Sequence, residues 1–191
     1  VVASFVDKPP NAAGLARTCG RCTVDTLSEV FNVKQLVIGD RKVLQIHRNA
    51  GQLLEHGMFK KVSVTAHKWL PIHEVKVEKA HAFLRSQKKQ GYTIIALEQV
   101  SCSFSHDQTV NSVSLPDYVF PEKSCFLLGK EKEGVPVELL NIVDACVEIP
   151  QFGVIRSAGS LDCSRSLNVH VSASIVVWEY TRQQLLLKTQ K

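Results

Sequence analysis

The chain has 191 residues, 45% hydrophobic and 21% charged, with a net charge of +5. That length can bury a full core, and the composition excludes a disordered tail or a disulfide-dense miniprotein. No apolar run approaches the roughly 20 residues of a membrane helix, no secretory leader opens the sequence, and the mild basic balance suits a polyanionic partner such as RNA without requiring one.

Residues 1–6, "VVASFV", read as a first strand. A loop and a helix follow, with Asn11 as a candidate N-cap and Arg17 near the helix end. "QLVIG" (35–39) and "KVSVTA" (61–66) read as further strands. Residues 77–91, "VEKAHAFLRSQKKQG", read as a helix with Val77, Ala80, Phe83 and Leu84 on one face and a glycine stop signal. "TIIALE" (93–98), "CFLLG" (125–129) and "ACVEIP" (145–150) complete the strands, and the polar stretch 105–117 between them reads as a loop. Pro136 opens a short helix. The last helix runs from Leu167 to about Leu187, with Ser166 as its N-cap and an apolar repeat at Val171, Ile175, Trp178 and Leu185.

Strands alternating with helices predict an α/β domain built on a mostly parallel sheet, and near-continuous apolar strands predict burial on both faces. Ligands in such domains bind at the carboxyl ends of the strands, so the loops after Glu98, Leu128 and Ile149 are the informative ones. The chain reads as one domain, 1–191. With Val at position 1 and its single methionine at Met58, it reads as the C-terminal part of a longer intracellular, cytoplasmic protein.

The six cysteines (19, 22, 102, 125, 146 and 163) are scattered, several in apolar context, as expected of reduced buried thiols. Cys19 and Cys22 form a C-x-x-C, but no second pair completes a four-ligand zinc site, and the seven histidines show no metal spacing. No metal is expected. His170, on the last helix, reads as a packed or surface residue. "GKEKEG" has P-loop glycine spacing, but Val135-Pro136 follows in place of Lys-Ser/Thr, and no G-x-G-x-x-G, G-x-S-x-G or H-E-x-x-H occurs.

Three segments carry more information: "DKPPNAAGLARTC" (7–19), "LLGKEKEGVP" (127–136), and "EIPQFGVIRS" (148–157) followed by "SLNVHVSASI" (166–175). In order, they resemble motifs 1, 2 and 3 of the SpoU family, the S-adenosylmethionine-dependent RNA ribose 2′-O-methyltransferases of the SPOUT class. "GYTIIALEQ", "ACVEIP" and "VWEYTRQQ" are most similar to the C-terminal domain of the large eukaryotic tRNA guanosine 2′-O-methyltransferases, which modify position eighteen of the D-loop. The resemblance implies a SPOUT-type, Rossmann-like parallel sheet with a C-terminal deep trefoil knot, a homodimer with its active site at the interface, S-adenosyl-L-methionine as cofactor and tRNA as substrate. It implies Arg17, Asn11, Glu131, Ser166 and Asn168 as catalytic-site residues. Leu97, Glu98, Leu128, Gly129, Ile149, Pro150 and Leu167 are implied to enclose the adenosine.

Each of these residues also has a plain structural reading. Arg17 can be a surface arginine, Asn11 a cap, Glu131 a solvated member of the charged run 130–133, and the apolar residues ordinary sheet-end packing. A guanidinium stays protonated, so Arg17 suits phosphate orientation and oxyanion stabilisation better than proton abstraction.

The chain departs from the family pattern in four places. Nine residues, 158–166, separate Ser157 from Leu167-Asn168 and split motif 3. Residues 20–28 and 102–110 also read as extra, and a longer excess lies within 46–58 in no fixed register. These segments read either as surface loops, which cost little in closure entropy, or as translated remnants of misjoined exons. The split leaves open an RNA-binding module of the same fold with impaired catalysis.

Overall fold

The computed structural model describes residues 1–20, 31, 33–40, 46–49, 52–55, 62–63, 66, 70–97, 112–131, 133–151 and 167–189. Among the described residues nine strands are present: β1 (Val2–Ala3), β2 (Leu36–Ile38), β3 (Ile46–Asn49), β4 (Gln52–Glu55), β5 (Ile72–Glu74), β6 (Thr93–Leu97), β7 (Ser112–Ser114), β8 (Ser124–Leu128) and β9 (Ala145–Glu148). Helices α1 (Pro9–Thr18), α2 (Ala80–Lys89), α3 (Val137–Leu140) and α4 (Val169–Thr189) accompany them.

Seven strands form one sheet in the order β5-β2-β1-β8-β6-β9-β7, and every pairing in it is parallel. The pleat explains the apolar strand sequences, because successive side chains enter opposite cores. Val2, Ile94, Ala96 and Leu127 pack with Ala80 and Leu84 of α2 and Leu139 of α3. On the other face Ala3, Ile38 and Leu128 meet Ala12, Ala13, Leu15 and Ala16 of α1 and Ala173 of α4. Beside that cluster Ile95, Phe126 and Val147 pack against Val176 and Val177 of α4.

The strands expected at 93–98, 125–129 and 145–150 are present within a residue or two. Strands also occur within the segments expected at 1–6 and 35–39, and helices within 77–91 and after Pro136, while several other expectations need correction. Residues 61–66 were expected to be a strand, but Val62, Ser63 and Ala66 are helical, and Leu70 N–H bonds the Ala66 carbonyl at 2.9 Å. Val62, Ala66 and Leu70 recur every four residues, and that spacing outweighs the β-branched composition. The polar stretch 105–117 contains the edge strand β7 and a 3-10 turn, Leu115–Asp117; residues 105–111 lie outside the described residues. The edge strand β5, too short and polar to signal itself, was not expected. Part of the excess at 46–58 is the antiparallel hairpin β3–β4, which belongs to its own two-stranded sheet.

Helix α2 ends as its glycine predicts. Gly91 has φ +83°, its N–H bonds Lys88 O at 2.9 Å, and Tyr92 N–H bonds Gln87 O at 3.1 Å, which together make a Schellman motif. Val77, placed on the buried face by the sequence, is exposed in the 3-10 turn that precedes α2. The apolar repeat of α4 also faces outward: Val171, Ile175, Trp178 and Leu185 are exposed, while Ala173, Val176 and Val177 face the sheet. Near its C-terminal half, α4 holds the segment before β8. Gln183 accepts from Phe120 N–H at 2.9 Å and donates to Tyr118 O at 2.9 Å, and Tyr180 donates to Glu122 O at 2.6 Å.

Replacing Gly91 by alanine places a Cβ in the left-handed region and is expected to cost about 1–2 kcal/mol. A lower urea midpoint at unchanged slope is the measurement that checks it.

Candidate active site

Helix α1 begins where two prolines, Pro9 and Pro10, occupy positions whose N–H groups have no helical partner. Its N-cap is Lys8, which makes no side-chain capping bond. Asn11 is therefore not the cap expected from the sequence. It lies inside the first turn and is 7% exposed. A buried amide needs partners, and Asn11 finds them in the two other motifs.

The first partner comes from the loop after β8. Lys130 and Gly134 exchange two backbone hydrogen bonds, at 2.9 and 3.0 Å, so the chain folds back on itself with Glu131 at the tip. Gly134 has φ +72°, and a Cβ on Gly129 would fall 2.4 Å from the Gly134 carbonyl carbon, so this turn closes only between glycines. One carboxylate oxygen of Glu131 accepts from Asn11 Nδ2, and the other accepts from Lys8 Nζ. Helix α1 has no acidic residue in its first turn, and Glu131 supplies the negative charge that the helix N-terminus favours.

The second partner is Asn168. Its Oδ1 accepts from the N–H groups of His170 at 2.9 Å and Val171 at 3.4 Å, which makes it the N-cap of α4. Its Nδ2 donates to Asn11 Oδ1 at 3.0 Å. The helix thus starts at Val169 and is capped by Asn168, not by Ser166 as expected; Ser166 lies outside the described residues. Lys8, Glu131, Asn11 and Asn168 form one hydrogen-bonded chain across the three motifs.

The charges follow from this geometry. The Lys8 ammonium holds the Glu131 carboxyl below its usual range, with the Asn11 amide adding to the effect against partial burial. The same contact raises Lys8. Lys8 was not singled out in the sequence, because a lysine before two prolines carries no signal of a partner 123 residues away.

Arg17 lies in the last turn of α1, exposed, and its side chain makes no hydrogen bond or ion pair among the described residues. Glu131 therefore braces Lys8 and Asn11 and makes no bond to Arg17. Leu97, Leu128, Gly129, Ile149 and Pro150 gather at the carboxyl edge of the sheet. Leu97 pairs with Leu128 and Val147, and Ile149 and Pro150 continue directly from β9. Leu128 is buried, whereas Leu97, Ile149 and Pro150 are half-buried, and Leu167 is exposed beside Asn168. Glu98 lies outside the described residues. The apolar edges of Leu97 and Ile149, with backbone groups beyond the last ladder bonds, suit an adenosine.

The C-x-x-C gains nothing from the structure. Cys19 is buried, which pushes its thiol up to about 11, and Cys22 lies outside the described residues. Among the described residues no His/Cys/Asp/Glu group could hold a metal, and no helix is long and apolar enough to cross a membrane. A cavity of about 250 Å³ opens at the opposite edge of the sheet, lined by Gln35, Tyr92 and Ser124 among others, and none of the motif residues lines it.

A wholly parallel α/β sheet with three motif loops tied together at its carboxyl edge defines a domain of the SPOUT architecture. Residues 1–178 match the SpoU rRNA Methylase family, and the chain belongs to that family. It is similar to the mouse tRNA (guanosine(18)-2′-O)-methyltransferase TARBP1, at 43% identity over 186 residues, which cover 97% of this chain and 9% of the mouse protein. Among solved structures it resembles the Aquifex aeolicus TrmH/SpoU tRNA modifying enzyme, with a TM-score of 0.65 at 22% identity over 98% of this chain and 75% of that one. It also resembles an AdoMet-bound rRNA methyltransferase from Sinorhizobium meliloti, with a TM-score of 0.63 at 20% identity over 95% of this chain and 54% of that one.

Because the folded pKa of Glu131 is depressed, its contribution to stability is complete above the ordinary glutamate value of about 4.3 and is lost as pH falls through the lowered value. The stability gap between the wild type and Glu131→Gln should therefore narrow on acidification. Unfolding titrations of both proteins across that range measure it.

Proposed function

We propose that this chain is the catalytic domain of an S-adenosylmethionine-dependent methyltransferase that acts on the ribose 2′-hydroxyl of a guanosine in tRNA, at position eighteen of the D-loop. The observation that carries this is the Lys8–Glu131–Asn11–Asn168 chain, which brings the three motifs to one edge of the sheet beside Leu97, Leu128 and Ile149. The name of the mouse relative supports the substrate, and the AdoMet-bound neighbour supports the cofactor.

Leu97, Glu98, Leu128, Gly129, Ile149, Pro150 and Leu167 would hold the adenosine. When bound, S-adenosylmethionine supplies an electrophilic methyl group on a cationic sulfur. The protein's share of the chemistry is alignment of the ribose oxygen with that methyl group and help as the hydroxyl proton leaves. Glu131 is held ionised by Lys8 and is a weak base, so its role is to brace. Arg17, exposed and uncommitted among the described residues, is left to grip an RNA phosphate and stabilise charge on the ribose oxygen. Asn11 and Asn168 shape the floor of the site; Ser166, the third residue that the resemblance implies, lies outside the described residues.

The finer features of the resemblance belong to the same proposal. The outward stripe of Val171, Ile175 and Trp178, the last 53% exposed, supports a homodimer, since apolar faces of this kind mark interfaces. The trefoil knot is proposed from motif 3, part of which lies outside the described residues. The nine extra residues at 158–166 favour one second reading, an RNA-binding module that no longer holds cofactor.

Labelled methyl transfer to unmodified tRNA decides between the two. Under the first reading Arg17→Ala should lower the rate by about 10²–10³-fold, and undiminished activity would contradict its role. RNA binding with neither cofactor binding nor transfer supports the second. Calorimetric titration with S-adenosylmethionine should show tighter binding when residues 158–166 are deleted; equal tight binding would show that the insertion leaves the site intact.

A further inference from the structure

The seam between α1 and α4 contains a polar cluster, formed by Thr18 of motif 1 with His170 and Ser174 of motif 3, to which the site described above gives no role. Thr18 Oγ1 lies 3.0 Å from His170 Nε2 and 3.0 Å from Ser174 Oγ, and Ser174 Oγ donates to the His170 carbonyl at 2.8 Å. The three contacts admit one arrangement of protons. The carbonyl can only accept, so it takes the Ser174 proton. Ser174 Oγ must then accept from Thr18, whose single hydroxyl proton is thereby spent. The remaining contact exists only if the imidazole donates from Nε2 to Thr18 Oγ1. A closed, directional ring results: His170 Nε2–H to Thr18, Thr18 to Ser174, Ser174 back to His170.

The imidazole also touches the α1 backbone. A Cβ on Gly14 would fall 2.5 Å from His170 Nδ1, so any other residue at 14 would displace the ring. With Nδ1 facing that helix and the side chain half-buried, burial lowers the His170 pKa and favours the neutral form with its single proton on Nε2. The same residue anchors the site through its backbone, because His170 N–H donates to the Asn168 oxygen. Asn168 in turn reaches Asn11.

We propose that His170 is a positioning residue for methyl transfer: through its hydrogen-bonded ring with Thr18 and Ser174 it fixes the start of α4 on α1 and so sets Asn168 against Asn11. This rests on the function proposed above. The role is distinct from adhesion, because Leu15, Ala16, Ala173 and Val176 already pack the two helices onto the sheet. The ring adds register along the seam.

Two variants separate the contributions. His170→Phe keeps a ring of similar size without a donor, and His170→Gln keeps an amide donor able to reach Thr18. His170→Phe should lower kcat by roughly 10- to 100-fold, the scale of a small misplacement at a reacting centre, while KM for tRNA stays within about twofold. His170→Gln should recover most of the loss. Unchanged kcat in His170→Phe, or no rescue by His170→Gln, would overturn the proposal. Nitrogen NMR of the wild-type chain supplies a readout that needs no activity. The imidazole should carry its proton on Nε2, and the Asn168 side-chain amide should be protected from solvent exchange in the wild type and His170→Gln but not in His170→Phe. A proton on Nδ1 instead, or an Asn168 amide indifferent to the substitution, would sink the ring. If the wild-type chain transfers no methyl group while both spectra come out as expected, the functional reading has failed and the positioning of Asn168 by His170 stands.

Discussion

The architecture of the site depends on one buried amide. Asn11 offers a donor and an acceptor on opposite sides, and each is matched by a different motif: Glu131 on the nitrogen, Asn168 on the oxygen. The partners lie 120 and 157 residues away along the chain. The bond to Asn168 is worth about 1 kcal/mol net and the one to the Glu131 carboxylate about 1.5–3 kcal/mol, and leaving either end of a buried amide unmatched costs about 1–3 kcal/mol. The amide therefore acts as a register pin. Only one relative placement of α1, the loop after β8 and the start of α4 satisfies both ends. The carboxylate at one end is itself fixed in charge by Lys8, so the chain ends on a solvated ion pair and not on another demand.

How much of this could be read from the sequence divides along physical lines. The central strands were legible because both faces of β6, β8 and β9 are buried, which leaves continuous apolar runs with no competing helical period. The edges were not. β5 and β7 are three residues each and half polar, and they exist because a neighbouring strand offers them a ladder. Helix α4 shows a different failure. Its apolar residues recur at two offsets, and the sequence alone gives no reason to prefer the set at 173, 176 and 177 over that at 171, 175 and 178. The small Ala173 settles the choice, since it lets α4 approach α1 closely. The site was legible as three motifs in order, but its joints were not. Lys8, Thr18 and His170 take their roles from contacts that close over more than a hundred residues.

The division of labour among the charged groups also follows from the fold. Among the charged residues that the motifs place at the site, Glu131 is tied to Lys8 and Asn11. Arg17 sits six residues beyond Asn11 on α1, more than a full turn away and rotated off the Asn11 face. A single helix thus presents a fixed, internally bonded end and an exposed cationic end. The first holds the edge of the sheet in shape, and the second is free for an anionic ligand. Had Glu131 paired with Arg17 instead, both charges would have been spent on each other, Lys8 would have lost its carboxylate, and the guanidinium of motif 1 would not have been open to a phosphate.

The same joints bear on the nine residues that split motif 3. The two halves of that motif are held by different parts of the structure. Ile149 and Pro150 leave β9, whose register is fixed by pairing with β6 and β7. Asn168 is fixed by four hydrogen bonds, three with its own helix and one with Asn11, and His170, two residues on, adds the seam bond to Thr18. None of these contacts passes through residues 158–166. Lengthening a connection between two independently anchored ends adds only a logarithmic term in closure entropy, about 0.6 kcal/mol for the rough doubling that nine residues make here. The hydrogen-bonded chain of Lys8, Glu131, Asn11 and Asn168 is therefore tolerant of the insertion on energetic grounds. Its effect is concentrated on whatever the connecting backbone itself contributes to the adenosine, which is why cofactor affinity, and not fold stability, is the property that the split motif puts at stake.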